Sequence, residues 1–165
     1  MTMRTIAAGL VALTLAACGG DVVVTGSPPR AGAETGDVRV AQYAGLVAGH
    51  EGEWRDSVAN IHDTCADSNA PDVCATAFLT ASRHAETLRS ALSAAPVDEV
   101  PAEIATLVAD TEAAAADYSV AYAAWEATNC ANPIDFKCSP DEGVAMSRAL
   151  GELTRQFDAW QPYTG

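Results

Sequence analysis

The chain has 165 residues, with 22 acids against 9 lysines and arginines, a formal net charge of −13. That balance repels phosphate backbones and anionic lipid headgroups, which argues against nucleic acid as a partner and favours basic or cationic ones. With 49% hydrophobic residues, the length suffices for one buried core and one domain.

The N-terminal segment has a positive start at Arg4, an apolar run over residues 6–15 and small residues after it, the anatomy of a secretory signal. The run is shorter than the roughly 20 residues that span a bilayer, so an uncleaved membrane helix fits it poorly. It ends in Leu15-Ala16-Ala17-Cys18, followed by Gly19-Gly20. This segment resembles the lipobox of bacterial lipoproteins. The resemblance covers about the first 20 residues and implies diacylglycerol attached to Cys18 through a thioether, fatty (palmitate-type) acylation and cleavage before Cys18. It also implies a mature protein held on the extracytoplasmic side of a cell membrane, with the lipid bilayer as its first partner. Cleavage removes Arg4 and no acid, so the bases fall from 9 to 8 and the mature net charge becomes −14.

Residues 1–17 are thus expected to be a signal peptide, 18–37 a lipidated flexible tether and 38–165 a helical domain. The tether reading rests on a shift to Gly, Pro, Thr and Ser, including Ser27-Pro28-Pro29, without helical periodicity.

Four helices follow. In the first, residues 38–65, Tyr43, Val47, His50, Trp54, Ile61 and Cys65 form an apolar stripe mostly at three- and four-residue steps. The second covers residues 71–94, opening on Pro71-Asp72 and burying Cys74, Phe78, Ala81, Leu88 and Leu92. The third starts near Pro101 and turns Ile104, Leu107 or Val108, Thr111, Tyr118, Tyr122 and Trp125 inward, while Glu103, Asp110 and Asp117 face water at seven-residue intervals. The fourth begins at Ser139-Pro140-Asp141-Glu142, a hydroxyl cap followed by proline and a glutamate three residues after the cap. Its stripe is Met146, Leu150, Leu153, Phe157 and Trp160, and Pro162 is expected to stop it. Short connections favour antiparallel neighbours, so the expected fold is all-α, an up-down-up-down four-helix bundle.

Cys65 closes the first helix, Cys74 opens the second, Cys130 closes the third and Cys138 opens the fourth. All four collect at one end of such a bundle, and an even number in an exported chain points to disulfides. Of the three connectivities, pairing Cys65 with Cys74 and Cys130 with Cys138 is chosen because each pair brackets one loop. A four-cysteine zinc site fits poorly, since zinc pairs are usually separated by two to four residues. No metal site is expected.

His84, Trp54, Tyr118 and Leu150 lie ten to twelve residues from the cysteine end on their respective helices and should share one layer. If His84 points inward, this layer is a ligand pocket for haem, a metal or a small molecule. The plainer reading is a hydrogen-bonded histidine at the core boundary. His50 and His62 do not converge on it. The sequence holds no Glu-x-x-His pair, no Cys-x-x-Cys-His, no Gly-x-Ser-x-Gly elbow and no phosphate-cradling glycine loop. Neither an enzyme nor a bound cofactor is therefore expected. The favoured function is a non-enzymatic interaction module that meets an envelope protein or cell-wall component, and the alternative is a carrier or sensor using the pocket of His84, Trp54 and Tyr118.

Overall fold

A computed structural model describes residues 31–66, 71–95, 100–128 and 140–164. The signal segment, Cys18, Cys130 and Cys138 lie outside the described residues. The described chain is all-helical, with four long helices and one short one: α1 (Ala31–Cys65), α2 (Pro71–Ala94), α3 (Ala105–Ala127), α4 (Pro140–Ala159) and α5 (Gln161–Thr164). They form a helical bundle in which α2 packs against both α1 and α3, α3 packs against α4, and α1 meets α4 and α5.

Local chemistry sets most helix ends. α2 and α4 each open on a proline, at the position where its missing N–H costs nothing, with acids in the first turn that suit the positive end of the helix dipole. α1 begins at Ala31, seven residues before the expected start and inside the stretch read as tether. Ala31, Ala33 and Glu34 are strong helix formers and offset the glycines among them. α3 starts at Ala105, later than expected, because residues 101–104 form a turn in which the Ile104 N–H donates to the Pro101 carbonyl (3.1 Å). Its C-terminus is capped by Thr128, whose hydroxyl donates to the carbonyls of Ala124 and Trp125, both at 3.1 Å. Pro162 does not stop the helical path. The chain turns at Trp160 and re-enters a helix, with Pro162 in the first turn of α5 where no intrahelical donor is needed.

The interior is built from the expected stripes. Tyr43, Val47, Trp54 and Ile61 of α1, Ala81, Leu88 and Leu92 of α2, Met146, Leu153 and Phe157 of α4, and Trp160 at the turn after it are buried. α3 adds Val108, Thr111, Tyr118, Tyr122 and Trp125, and the turn before it adds Ile104. His50, Cys65, Cys74, Phe78 and Leu150 are only half-buried.

At the centre, the Trp54 ring meets the Tyr118 edge at 5.1 Å between centroids and lies nearly parallel to Phe157 at 6.1 Å. Trp54 Nε1–H donates to Thr154 Oγ1 (3.1 Å), and that hydroxyl donates to the Leu150 carbonyl (2.8 Å). The same device recurs further along: Trp160 Nε1–H donates to Thr111 Oγ1 (3.0 Å), which donates to the Leu107 carbonyl (2.7 Å). Each indole N–H is thereby satisfied inside an apolar surrounding, where an unpaired one would cost about 1–3 kcal/mol.

Cys65 and Cys74 form a disulfide, with their Cα atoms 4.8 Å apart, joining the end of α1 to the first turns of α2. On the outside, the Arg55 guanidinium donates to Glu51 of α1 (2.8 Å) and to Asp158 of α4 (2.7 Å), and Gln161 Nε2 of α5 donates to Glu51 (2.9 Å). These exposed pairs are worth less than about 1 kcal/mol each and set register more than stability.

Two measurements follow from this packing. Trp54→Ala is expected to lower the unfolding free energy by about 3–5 kcal/mol in a urea titration, since it deletes a fully buried ring. Replacing both Cys65 and Cys74 by alanine is expected to lower it by about 2.5 kcal/mol, the loop-closure entropy of a ten-residue loop.

Candidate functional site

The layer of His84, Trp54 and Tyr118 forms in part. Trp54 and Tyr118 touch and are fully buried, whereas the His84 side chain is 28% exposed and sits at the α1–α2 boundary. His84 Nδ1 lies 2.9 Å from Ser57 Oγ and 3.2 Å from the Glu53 carbonyl, and Nε2 lies 3.9 Å from the Glu53 carboxylate. Ser57 Oγ–H itself donates to the Glu53 carbonyl (2.9 Å). The tautomer with the proton on Nδ1 satisfies these hydrogen bonds, donating to Ser57 Oγ and to the Glu53 carbonyl.

A serine, a histidine and a carboxylate in sequence invite comparison with a nucleophile, its base and an orienting acid. The geometry works against that chemistry. Ser57 is only 5% exposed, and its hydroxyl proton is committed to a helix carbonyl. What the three side chains do is clamp α2 onto α1 beside the Trp54 layer. Ser57 occupies the gap in the α1 stripe between Trp54 and Ile61, and its spacing was the signal for a buried position at residue 57.

Inside the layer, the Tyr118 hydroxyl is buried and has no hydrogen-bond partner among the described residues. Burial pushes its phenol well above the ordinary tyrosine range, so it stays neutral. His50 Nδ1 is also buried without a partner, away from this layer on α1, and His62 is exposed. Among the described residues no group of three or more His, Cys, Asp or Glu side chains is placed to hold a metal ion. No described helix is long and apolar enough to cross a membrane.

Open chemistry lies on the outside of α3 and α4. A groove of about 610 Å³ runs between them, floored by Ala114 and Ala149. The α3 wall carries Ala113, Val120, Ala121 and Ala124, and the α4 wall carries Ala145. Its rim is polar: Asp110 and Asp117 on α3 face Arg148, Glu152 and Gln156 on α4. Hydrogen bonds from Arg155 and Gln156 hold the Glu152 carboxyl below the usual range. Asp110, Asp117 and Arg148 make no ion pair or hydrogen bond among the described residues. The sequence reading placed Asp110 and Asp117 toward water correctly but missed the groove beside them.

Comparison with protein-family models, with curated proteins and with solved structures returned no match to this chain.

Tyr118→Phe removes a buried hydroxyl that has no hydrogen-bond partner among the described residues. It is expected to raise stability by about 1 kcal/mol. A urea midpoint that falls in this variant would show that the hydroxyl is bonded in solution.

Proposed function

We propose that the chain is a membrane-tethered, non-enzymatic interaction module of the cell envelope. In this reading Cys18 carries the lipid, residues 18–30 link it to α1, and the bundle meets an envelope protein or cell-wall component. The observation that carries the reading is a filled interior beside an outer groove edged with charge. Rings fill the middle at Trp54, Tyr118 and Phe157, while Asp110, Asp117 and Arg148, which make no ion pair or hydrogen bond among the described residues, line the α3–α4 groove.

The arrangement is read as up-down-up-down, with a second disulfide between Cys130 and Cys138. Pairings of late residues with early ones support it: Ser57 with His84, Phe78 with Trp125, Thr111 with Trp160, and Glu51 with Gln161. In that arrangement the tether enters at the end opposite the cysteines. The stapled end then points away from the bilayer.

A second reading, a small-ligand carrier, draws on the unpartnered Tyr118 hydroxyl. It stands second because His84, the ligand such a site needs, is turned to Glu53 and Ser57 of α1.

The tether is tested by metabolic labelling with palmitate. Wild-type chain is expected to take up label and sediment with membranes, and Cys18→Ala to lose the label and move to the soluble fraction. Unlabelled wild-type chain would remove the anchor. The interaction reading is tested separately by cross-linking on intact cells, where a defined envelope protein or cell-wall adduct is expected. Cross-linked material consisting of the chain alone contradicts it.

A further inference from the structure

We infer that the groove between α3 and α4 is the docking site for a basic amphipathic helix of a partner protein. The inference rests on the interaction-module reading and specifies its surface and the chemistry of its occupant.

The shape argument comes first. Along α3, Asp110, Ala113, Asp117, Val120 and Ala124 recur at three- and four-residue steps, and α4 answers with Ala145, Arg148, Glu152 and Gln156. These are second stripes, displaced around each helix from the ones that build the core. Two parallel stripes of this period form a trough that a third helix can follow. Alanine floors let that helix approach to the usual 8–10 Å between axes without a long side chain in the way. The trough also carries apolar surface that a water-facing helix does not need: Val120 is 69% exposed on its α3 wall.

Charge then selects the occupant. Asp110 and Asp117 lie seven residues apart, two turns or about 10.5 Å along α3, and neither makes an ion pair or hydrogen bond among the described residues. Arg148 on the opposite wall likewise makes no direct pair among the described residues. A helix that fits presents a small apolar seam, lysine or arginine at positions seven apart toward α3, and an acid toward Arg148. A second copy of the chain fits poorly, because each copy brings a net charge of −13 to the encounter. The chain's own residues 1–30 fit poorly too, since their only bases are Arg4 and Arg30. The occupant is therefore a helix supplied by another protein.

The test uses a fluorescently labelled synthetic helix of about 21 residues, long enough to hold helical structure when docked. It carries an Ala/Leu seam, two lysines seven apart on one edge and a glutamate on the other. A scrambled peptide of the same composition is the control. Anisotropy titration against the folded chain is expected to show binding of the patterned helix, at least tenfold weaker binding of the scrambled one, and weakening with added salt. Asp110→Asn with Asp117→Asn is expected to reduce affinity about tenfold. Ala145→Trp, at an exposed position whose change leaves the core intact, is expected to abolish binding, with circular dichroism verifying that both variants are folded. Equal binding of the two peptides, no binding of either, or affinities unmoved by the variants would overturn the groove as the site. A cross-linked envelope partner captured equally by wild type and Ala145→Trp would do the same, yet leave the interaction-module reading standing.

Discussion

Trp54 is the side chain on which the arrangement of helices depends. It leaves α1, inserts between Tyr118 of α3 and Phe157 of α4, and hands its one polar atom to Thr154. A chain with so much alanine has few side chains large enough to fill the middle of a bundle. One indole that touches two other helices therefore decides how they meet. The threonine matters as much as the rings: without an acceptor at that point, burying the indole N–H would cancel much of the packing gain. Trp160 repeats the solution with Thr111, so two of the three buried tryptophans are each seated by a threonine on a facing helix.

A filled centre moves the open chemistry outward. His84 is held at the edge of the core by Ser57 and by the Glu53 carbonyl, where its ring braces α2 against α1. Some of the exposed charges are spent in short-range pairs that carry little energy, such as Arg55 with Glu51 and Asp158. Along the α3–α4 groove Glu152 is paired with Arg155, whereas Asp110, Asp117 and Arg148 make no such pair among the described residues. Because α3 is alanine-rich on both sides, it packs a core with one face and leaves a shallow apolar trough on the other, edged by acids. Such a surface is stable in water, and it is the one we propose as the seat of a partner helix.

Much of the fold was legible from residue spacing. Large side chains at three- and four-residue steps marked the buried faces of α1, α3 and α4, and the prolines at 71 and 140 marked the starts of α2 and α4, since proline has a physical reason to be there. The boundaries that were missed lacked such a marker. Ala31 starts a helix in a stretch whose glycines and nearby prolines looked like tether, and Pro162 looked like a stop although a tight turn at Trp160 makes it a start. The site was less legible. His84 falls at the right height for the central layer, but height does not give rotation about the helix axis, and a few tens of degrees separate an inward ring from a boundary one. Ser57 and the groove were missed for a common reason: serine and alanine are small, and spacing arguments count large side chains. The one visible trace was the seven-residue repeat of Asp110 and Asp117 with alanine between them.

The central claim is that the interior is closed around Trp54 and that recognition happens outside it. Native-state hydrogen exchange of the indole N–H protons, followed by NMR, tests it most directly. The Trp54 and Trp160 indole protons should exchange only when the whole domain unfolds, with a protection free energy equal to the global one. A Trp54 indole proton that exchanges at the rate of a solvent-exposed indole, while the backbone amides of α1 stay protected, would mean that the centre opens to solvent and would contradict the account.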